Sequence, residues 1–295
     1  MIGDPKKGYF FVFLTGVFFA IEVIGFKEIF RRYKLNPEIA ALYGVSACFV
    51  IVTGYILFSK TSRTKVVTTV KRDGYILFLG TLSNAFGILL YYLALKQTDL
   101  GPAAILIKTT VLYNVILGTV LLGEKLRRLE ILGIVISLLG IYLVSTLNGQ
   151  ISIYSSFLIL TSAFFFAIQS FMIKKYVPQI FGLEYAYLRL LLLSIFFILY
   201  SKSVGSLVFI DPKLILILGL FSFLGYFLGR AFYFEAHNHL PMSKLNATLL
   251  IEPIFLMFIG ILFMNEPLDP KKIFGAILIL FGLYLIVFHH RNKKV

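Results

Sequence analysis

Ten long apolar runs occupy most of the chain, and each is about as long as a helix that crosses a lipid bilayer. A helix rises about 1.5 Å per residue, so roughly 20 apolar residues are needed to cross the hydrocarbon core. The runs are continuously apolar rather than alternating, which favours helices over barrel strands because backbone groups in lipid must be paired within each segment. We predict an all-α integral membrane protein with ten transmembrane helices at residues 8–29, 37–59, 75–96, 102–122, 129–147, 153–174, 183–201, 214–235, 242–264 and 273–288.

The composition agrees with a lipid environment and excludes several other classes. Charged residues make up 14% of the chain, against about 25% in an average soluble domain. The net charge of +14 does not indicate a nucleic-acid partner, because Lys and Arg flank the apolar runs instead of forming a patch. They are more numerous on the side of the two termini, which predicts cytoplasmic N- and C-termini in a plasma or inner cell membrane. With Cys48 as the single cysteine, no disulfide or thiolate metal site can form within the chain, and we expect no cofactor or metal.

An internal repeat organises the sequence. When the chain is shifted by 142 residues against itself, seven residues of the first half meet identical residues of the second: Gly87, Tyr91, Gly118, Glu124, Gly133, Gly140 and Tyr142 meet Gly229, Tyr233, Gly260, Glu266, Gly275, Gly282 and Tyr284. Slightly larger shifts align Phe19 to Glu22 with Phe166 to Gln169, and Tyr43 with Arg189. Five helices per repeat is an odd number, so the second copy must enter the membrane with opposite polarity. We therefore predict two inverted five-helix repeats, residues 1–149 and 150–295, an architecture that secondary transporters use.

The stretches at residues 100–144 and 240–287 resemble the fourth-to-fifth and ninth-to-tenth helices of the drug/metabolite transporter superfamily, EamA type. The family's recurring features are a Pro in the ninth helix, a Glu ending the fourth and ninth helices, and an Arg early in the seventh. They match Pro253, Glu124, Glu266 and Arg189, whereas the first half departs from the pattern with Val111 opposite Pro253 and Tyr43 opposite Arg189. The resemblance implies a ten-helix metabolite transporter, commonly an exporter, and does not define the substrate. We expect Glu124 and Glu266 to cap helix ends or to pair with nearby basic residues.

Ionisable side chains inside the predicted helices are the candidates for a substrate site. A charge at the bilayer centre costs about 2.5 to 3.5 kcal/mol on insertion scales, so such groups should face a cavity or a partner. Five qualify by depth: Glu22, Lys108, Arg189, Arg230 and Glu252. For Glu22, a proton site and a structural acid paired with Lys27 or Lys108 both stay open, and for Arg189, substrate contact and a guanidinium reaching the headgroups both stay open.

Polar residues follow the helical spacing on the third and eighth predicted helices. Asn84 and Tyr91 lie on one face of the third, and Tyr226, Arg230 and Tyr233 lie on one face of the eighth. These tyrosines and Asn84 join the five ionisable residues as predicted substrate-binding groups. Pro253 removes a helix hydrogen bond beside Glu252, so we predict a hinge there.

The sequence predicts a secondary transporter of a small polar metabolite, with amino-acid-like zwitterions preferred because both signs of charge occur in the candidate site. The alternatives are an organic-anion or sugar-phosphate exchanger that uses Lys108, Arg189 and Arg230 as a clamp, and, from another class, a membrane-embedded enzyme that modifies lipids. We expect a transporter and no enzyme. The expected partners are the substrate, membrane lipid and protons, with the protein acting as a monomer or a homodimer.

Overall fold

The computed structural model describes residues 3–95, 97, 103, 106–144, 152–177, 179–264 and 270–287, and all regular structure in them is helical. We number the helices α1 (Pro5–Tyr33), α2 (Pro37–Phe58), α3 (Lys60–Leu95), α4 (Thr109–Leu121), α5 (Arg128–Val144), α6 (Ile153–Tyr176), α7 (Gly182–Ser203), α8 (Pro212–Ala236), α9 (Met242–Thr248, Leu249–Ile251 and Glu252–Met264) and α10 (Pro270–Val287).

Seven of the helices in these ranges are long and apolar enough to cross a membrane, namely α1, α2, α3, α6, α7, α8 and α9. The helix α4 and most of α10 form shorter apolar helices. The prediction of an all-α membrane protein is thus confirmed, whereas the number of ten spanning helices stays a prediction.

The helix ends follow ordinary capping chemistry. Asp4 and Asp211 each accept a hydrogen bond from the backbone amide two residues later, and a proline occupies the first position of α1, α2 and α8. Two predicted helix starts are wrong: α3 begins at Lys60 and not near residue 75, and α4 begins at Thr109, after a turn at residues 107 and 108, and not near residue 102. Residues 60–74 are rich in Lys, Arg and Thr, so their sequence indicated a connection, but they continue the transmembrane helix without a break.

The helices pack in pairs that are related by a shift of five in chain order. The contact of α1 with α8 corresponds to that of α6 with α3, α2 with α8 to α7 with α3, and α4 with α6 to α9 with α1. The pairs α2 with α7, α4 with α9, and α5 with α10 are their own counterparts under this shift. The packing therefore follows the two-repeat organisation that the sequence predicts.

Equivalent hydrogen bonds occur in two of these related contacts. The hydroxyl of Ser162 on α6 donates to the carbonyl of Gly87 on α3 over 2.7 Å, and the hydroxyl of Thr15 on α1 donates to the carbonyl of Gly229 on α8 over 3.3 Å. Gly87 and Gly229 are equivalent in the sequence repeat, as are the stretches that contain the two hydroxyls. The repeat thus extends to individual atoms.

Glycines of the repeat bring α5 and α10 into backbone contact. A Cβ at Gly133 would lie 2.5 Å from the carbonyl oxygen of Gly282, and one at Gly140 would lie 2.6 Å from that of Gly275. Any larger residue would therefore separate the helices.

The boundary predicted between residues 149 and 150 falls outside the described residues, as does Glu266.

One end of the molecule gathers the N-terminus and several connections. The amide of Gly3 donates to the carbonyl of Asn238 after α8, and the side chain of Asn238 bonds both backbone groups of Ile180 before α7. The guanidinium of Arg72 on α3 donates to the carbonyl of Gln179. We call this the basic end, since it carries exposed cations that include Lys6, Lys7, Lys60, Arg63, Lys71 and Arg72.

Candidate functional site

Arg189 on α7 is the most deeply buried cation of the predicted site, with 0% of its surface exposed. Its Nε and Nη2 atoms donate to Oδ1 of Asn84 on α3 over 3.1 and 2.6 Å, and Nη1 donates to the carbonyl of Tyr226 over 3.4 Å. The guanidinium also lies 5.6 Å from the ring centroid of Tyr226. The alternative that Arg189 extends to the headgroups is therefore wrong, because its side chain points into the helix bundle and is held there by an amide and a carbonyl.

Arg230 on α8 lies against aromatic rings rather than against an acid. Its guanidinium carbon is 4.7 Å from the ring centroid of Phe19 and 5.5 Å from that of Tyr233, so both rings are within the range of cation–π attraction. Arg230 and Arg189 are close enough to repel each other, and Glu22 on α1 is close enough to attract both. Within the described residues, neither guanidinium has a carboxylate at ion-pair distance.

A π-helical segment shapes the part of α8 that faces Glu22. It covers Phe223–Gly229, and the amide of Arg230 closes it by donating to the carbonyl of Gly225, five residues earlier. A Cβ at Gly225 would overlap the carboxylate of Glu22, so this acid reaches its place only because position 225 has no side chain. Such segments occur often at functional sites, since the extra residue per turn redirects the side chains that follow.

Lys108 and Glu252 form the second charged element of the site. The ammonium group of Lys108, just before α4, lies 2.9 Å from the carboxylate of Glu252 on α9, and both side chains are largely buried. Lys108 therefore pairs with Glu252 and not with Glu22. Glu252 also lies close enough to interact electrostatically with Glu22 and with Tyr91, which connects this pair to the arginines.

The helix α9 changes its hydrogen bonding beside this ion pair. Residues Leu249–Ile251 form a 3₁₀ turn in which the amide of Glu252 donates to the carbonyl of Leu249. Pro253 has no amide hydrogen for that carbonyl, so the tighter turn satisfies it instead. The irregularity lies where we predicted a hinge, and movement about it stays a prediction.

The predicted tyrosines occupy two environments. The hydroxyl of Tyr226 bonds that of Tyr92 over 2.8 Å, and Tyr91 is close enough to interact with Tyr226. Tyr233 is buried, and its hydroxyl contacts that of Ser170 at 2.5 Å and Oδ1 of Asn246 at 3.1 Å. The ring of Tyr233 therefore faces Arg230 while its hydroxyl is occupied by helices α6 and α9.

The nine predicted site residues thus lie close enough to interact electrostatically, either directly or through one another. Sequence reasoning missed Tyr92 and Phe19, which complete the aromatic surface of the site. A signal existed for both: Phe19 precedes Glu22 by one helical turn, and Tyr92 continues the spacing of Asn84 and position 88. Binding of substrate by these residues stays a prediction.

A second polar cluster lies at the basic end and is structural in character. Glu124 accepts hydrogen bonds from the amides of Met242 and Ser243, at 2.6 and 2.8 Å, and so caps α9 rather than its own helix. Glu130 on α5 and Lys244 on α9 form a buried ion pair at 2.7 Å. Both contacts connect the first repeat to the second.

His237, which follows α8 at the same end, is buried and neutral. Burial away from water, together with the positive charge of Lys174, lowers the pKa of His237 to about 3. Its ring packs edge-on against that of Tyr233, with 4.9 Å between the centroids and 87° between the planes. Neither ring nitrogen has a hydrogen-bond partner among the described residues.

Known proteins resemble this chain over most of its length. An uncharacterized transporter of Clostridium kluyveri is 20% identical over 98% of this chain and 95% of its own. Proteins of Salmonella typhimurium and Escherichia coli, each named a probable amino-acid metabolite efflux pump, are both 25% identical over 66% of this chain and 69% of their own. A solved crystal structure with 14% identity covers 99% of this chain and 100% of its own with a TM-score of 0.80, which shows a common fold.

The sequence profile of the EamA-like transporter family matches residues 6–146 and again residues 153–288. The two matches lie one in each predicted repeat and together include every residue of the site. Nearly the whole chain is thus accounted for, and the protein belongs to the EamA-like transporter family.

Proposed function

We propose that the chain is a secondary transporter that moves a small polar metabolite, preferably an amino acid or similar zwitterion, by alternating access around the cluster of Glu22, Arg189 and Arg230. The observation that carries the proposal is the pair of deeply placed guanidinium groups that have no carboxylate at ion-pair distance in the described part of the chain. Buried charges are stable only when they are paired, so these groups favour an anionic group from outside the protein. The names of the Salmonella and Escherichia relatives support an amino-acid substrate and export.

The chemistry of the cluster suits a solute that carries both charges. A guanidinium recognises a carboxylate through two parallel N–H donors, and Arg230 keeps part of its surface exposed for that contact. Glu22 is half-buried beside the arginines and can accept hydrogen bonds from an ammonium group.

An organic-anion exchanger is the second candidate, and one observation favours it. Two positive groups, Arg189 and Arg230, face the single negative Glu22, because Lys108 and Glu252 neutralise each other. The excess of one positive charge attracts a monoanion. The predicted clamp of three cations is reduced to two under this proposal, since Lys108 already has its partner.

A gradient or an exchanged solute would supply the energy, since the sequence contains no phosphate-binding GxxxxGK[ST] motif. We propose Glu22 as the proton carrier, a plasma or inner membrane as the location, and a cytoplasmic position for the basic end and both termini. The protein would act as a monomer or a homodimer. A lipid-modifying enzyme would instead release product whether or not the vesicles are sealed. An activity that is the same in sealed and in open vesicles would therefore contradict transport.

The test uses the full chain in proteoliposomes loaded with labelled neutral amino acids or monocarboxylates. Arg230→Gln should lower transport by about 10- to 100-fold, since a hydrogen bond to a charged group contributes roughly 1.5 to 3 kcal/mol. Arg230→Lys keeps the charge without the planar fork of N–H donors, so its transport rate should lie between those of the wild type and Arg230→Gln. Arg128→Gln removes an exposed arginine of the basic end and serves as the matched control. Wild-type transport by folded Arg230→Gln would remove this residue from the site.

Proton coupling has a separate test. Glu22→Gln keeps the size of the side chain and removes its proton exchange, so the dependence of transport on pH should flatten. Gln169, the equivalent residue in the second repeat, provides the matched control when it is replaced by Asn. An unchanged pH profile in Glu22→Gln would assign the proton to another residue.

A further inference from the structure

The first sixteen residues of α3 exceed what a transmembrane helix needs. The helix has 36 residues, which correspond to about 54 Å at 1.5 Å per residue, whereas the hydrocarbon core is about 30 Å thick. Its N-terminal part lies at the basic end, where Arg72 contacts Gln179. We call residues 60–75 the interfacial segment.

One face of the interfacial segment is fixed to the protein. Ser62, Thr69 and Asp73 on this face are 5%, 1% and 4% exposed. Asp73 forms an ion pair with Arg72 at 2.7 Å, and it is the one acid between residues 58 and 75. The position of the segment against the protein is therefore set by its buried polar side.

Two cations at the side of the segment are also held by the protein. The ammonium group of Lys65 and the guanidinium of Arg72 lie 5.3 and 5.7 Å from the ring centroid of Phe181, at the start of α7. These cation–π contacts hold the start of α7 from two positions on α3 that are seven residues apart. They leave the opposite face of the segment uncovered.

The uncovered face alternates cations with apolar side chains. Lys60, Arg63 and Lys71 are exposed there, and Val67 and Val70 are 52% and 48% exposed. Their spacing of three and four residues places them on one side of the helix, opposite Thr69 and Asp73. Exposed apolar residues flank the face at both ends, with Phe58 92% and Tyr75 74% exposed.

This pattern fits the headgroup layer next to the hydrocarbon core. Cations on such a face bind the phosphates of lipid headgroups. The face has no acid of its own, so the complementary surface is negatively charged. We propose that the uncovered face of the interfacial segment binds anionic phospholipid headgroups in the leaflet at the basic end.

The test measures lipid preference with the purified full chain in neutral detergent. Cys48 is buried and is the only cysteine, so a thiol-reactive dye reports thermal unfolding. Unfolding is followed at increasing concentrations of dioleoyl-phosphatidylglycerol or dioleoyl-phosphatidylcholine. The wild type should be stabilised at lower concentrations of phosphatidylglycerol than of phosphatidylcholine. Each cation near the lipid surface contributes about 1 kcal/mol, or about fivefold, so the triple variant Lys60→Gln, Arg63→Gln and Lys71→Gln should need on the order of 100-fold more phosphatidylglycerol.

The matched control removes three exposed lysines away from the segment, in the variant Lys34→Gln, Lys202→Gln and Lys213→Gln. Its phosphatidylglycerol preference should equal that of the wild type. Equal loss in the control, equal stabilisation of the wild type by both lipids, or the same stabilisation by free glycerol phosphate would overturn the proposal. If the triple variant does not fold, Arg63→Gln alone should need about fivefold more phosphatidylglycerol. The wild type's preference for phosphatidylglycerol should decrease as salt is raised from about 0.05 to 0.5 M, and a preference that does not decrease would also overturn the proposal.

Discussion

Replacing Asn84 with aspartate is the sharpest perturbation of the site, because it changes charge with almost no change in shape. Oδ1 of Asn84 receives both hydrogen bonds from Arg189, whereas its Nδ2 has no partner among the described residues. In Asn84→Asp, a carboxylate oxygen would replace this unpaired donor and place a negative charge beside a guanidinium that has no ion pair there. Two opposed effects on stability and on substrate binding should follow.

The expected size of both effects follows from distance and dielectric. Arg189 is fully buried here, so a substrate carboxylate would reach it only in a conformation that opens the site. On the edge of the guanidinium away from Asn84, that carboxylate would lie roughly 6 Å from the new charge, and at an effective dielectric constant of about 20 the repulsion is about 3 kcal/mol. The affinity for anions should therefore fall about 100-fold. Removal of a buried unpaired donor and formation of charged hydrogen bonds should raise the free energy of unfolding by about 1 to 3 kcal/mol.

The assay combines anion competition in proteoliposomes with thermal unfolding reported by dye reaction at Cys48. Asn84→Leu is the matched variant, since it removes the acceptor without adding charge and should lower the unfolding temperature. The reasoning is refuted if Asn84→Asp folds with the expected stability and still binds anions with wild-type affinity, because the anion site cannot then include Arg189.

Three further predictions concern the folded state, and dye reaction at Cys48 checks each. Glu130→Gln should lower the free energy of unfolding by about 3 to 5 kcal/mol because it leaves the ammonium group of Lys244 buried and unpaired. Adding Lys244→Met should recover part of that loss, and a double variant whose loss equals the sum of the two single losses would contradict the ion pair. Gly140→Leu should destabilise by about 1 to 3 kcal/mol or more because its side chain meets the backbone of α10, whereas wild-type stability would show that α5 and α10 do not touch there. His237 has a pKa near 6.5 in the unfolded chain and about 3 in the folded chain, so the free energy of unfolding falls as pH is lowered from 6.5 towards 3, by about 2 kcal/mol at pH 5. His237→Asn should remove this dependence of stability on pH, and an unchanged dependence would assign it to other groups.

The sequence was informative wherever lipid itself imposes the constraint. Apolar length predicted the helices, and the cost of charge in hydrocarbon selected Glu22, Lys108, Arg189, Arg230 and Glu252, which the structure places in one cluster. The repeat was visible because glycines at close helix contacts tolerate no other residue.

Pairing between helices could not be predicted in the same way. The partner of Lys108 could have been Glu22 or Glu252, since both acids lie inside predicted helices and only tertiary packing decides. Arg189 lies near a helix end in the sequence, so its inward direction depends on the position of Asn84 on another helix. The π-helical segment before Arg230 has no compositional signal, because a shift of hydrogen bonds by one residue leaves the apolar pattern intact.

The two halves of the chain resemble each other in backbone but hold complementary chemistry. Where the first half has Glu22, the second has Gln169, and where the second half has Arg230, the first has Ile88. A molecule assembled from two copies of the first half would contain acids without the arginines, and one assembled from two copies of the second would contain the arginines without Glu22. Duplication alone therefore cannot generate this centre, and fusion into a single polypeptide guarantees that each acid meets its arginines in a fixed ratio.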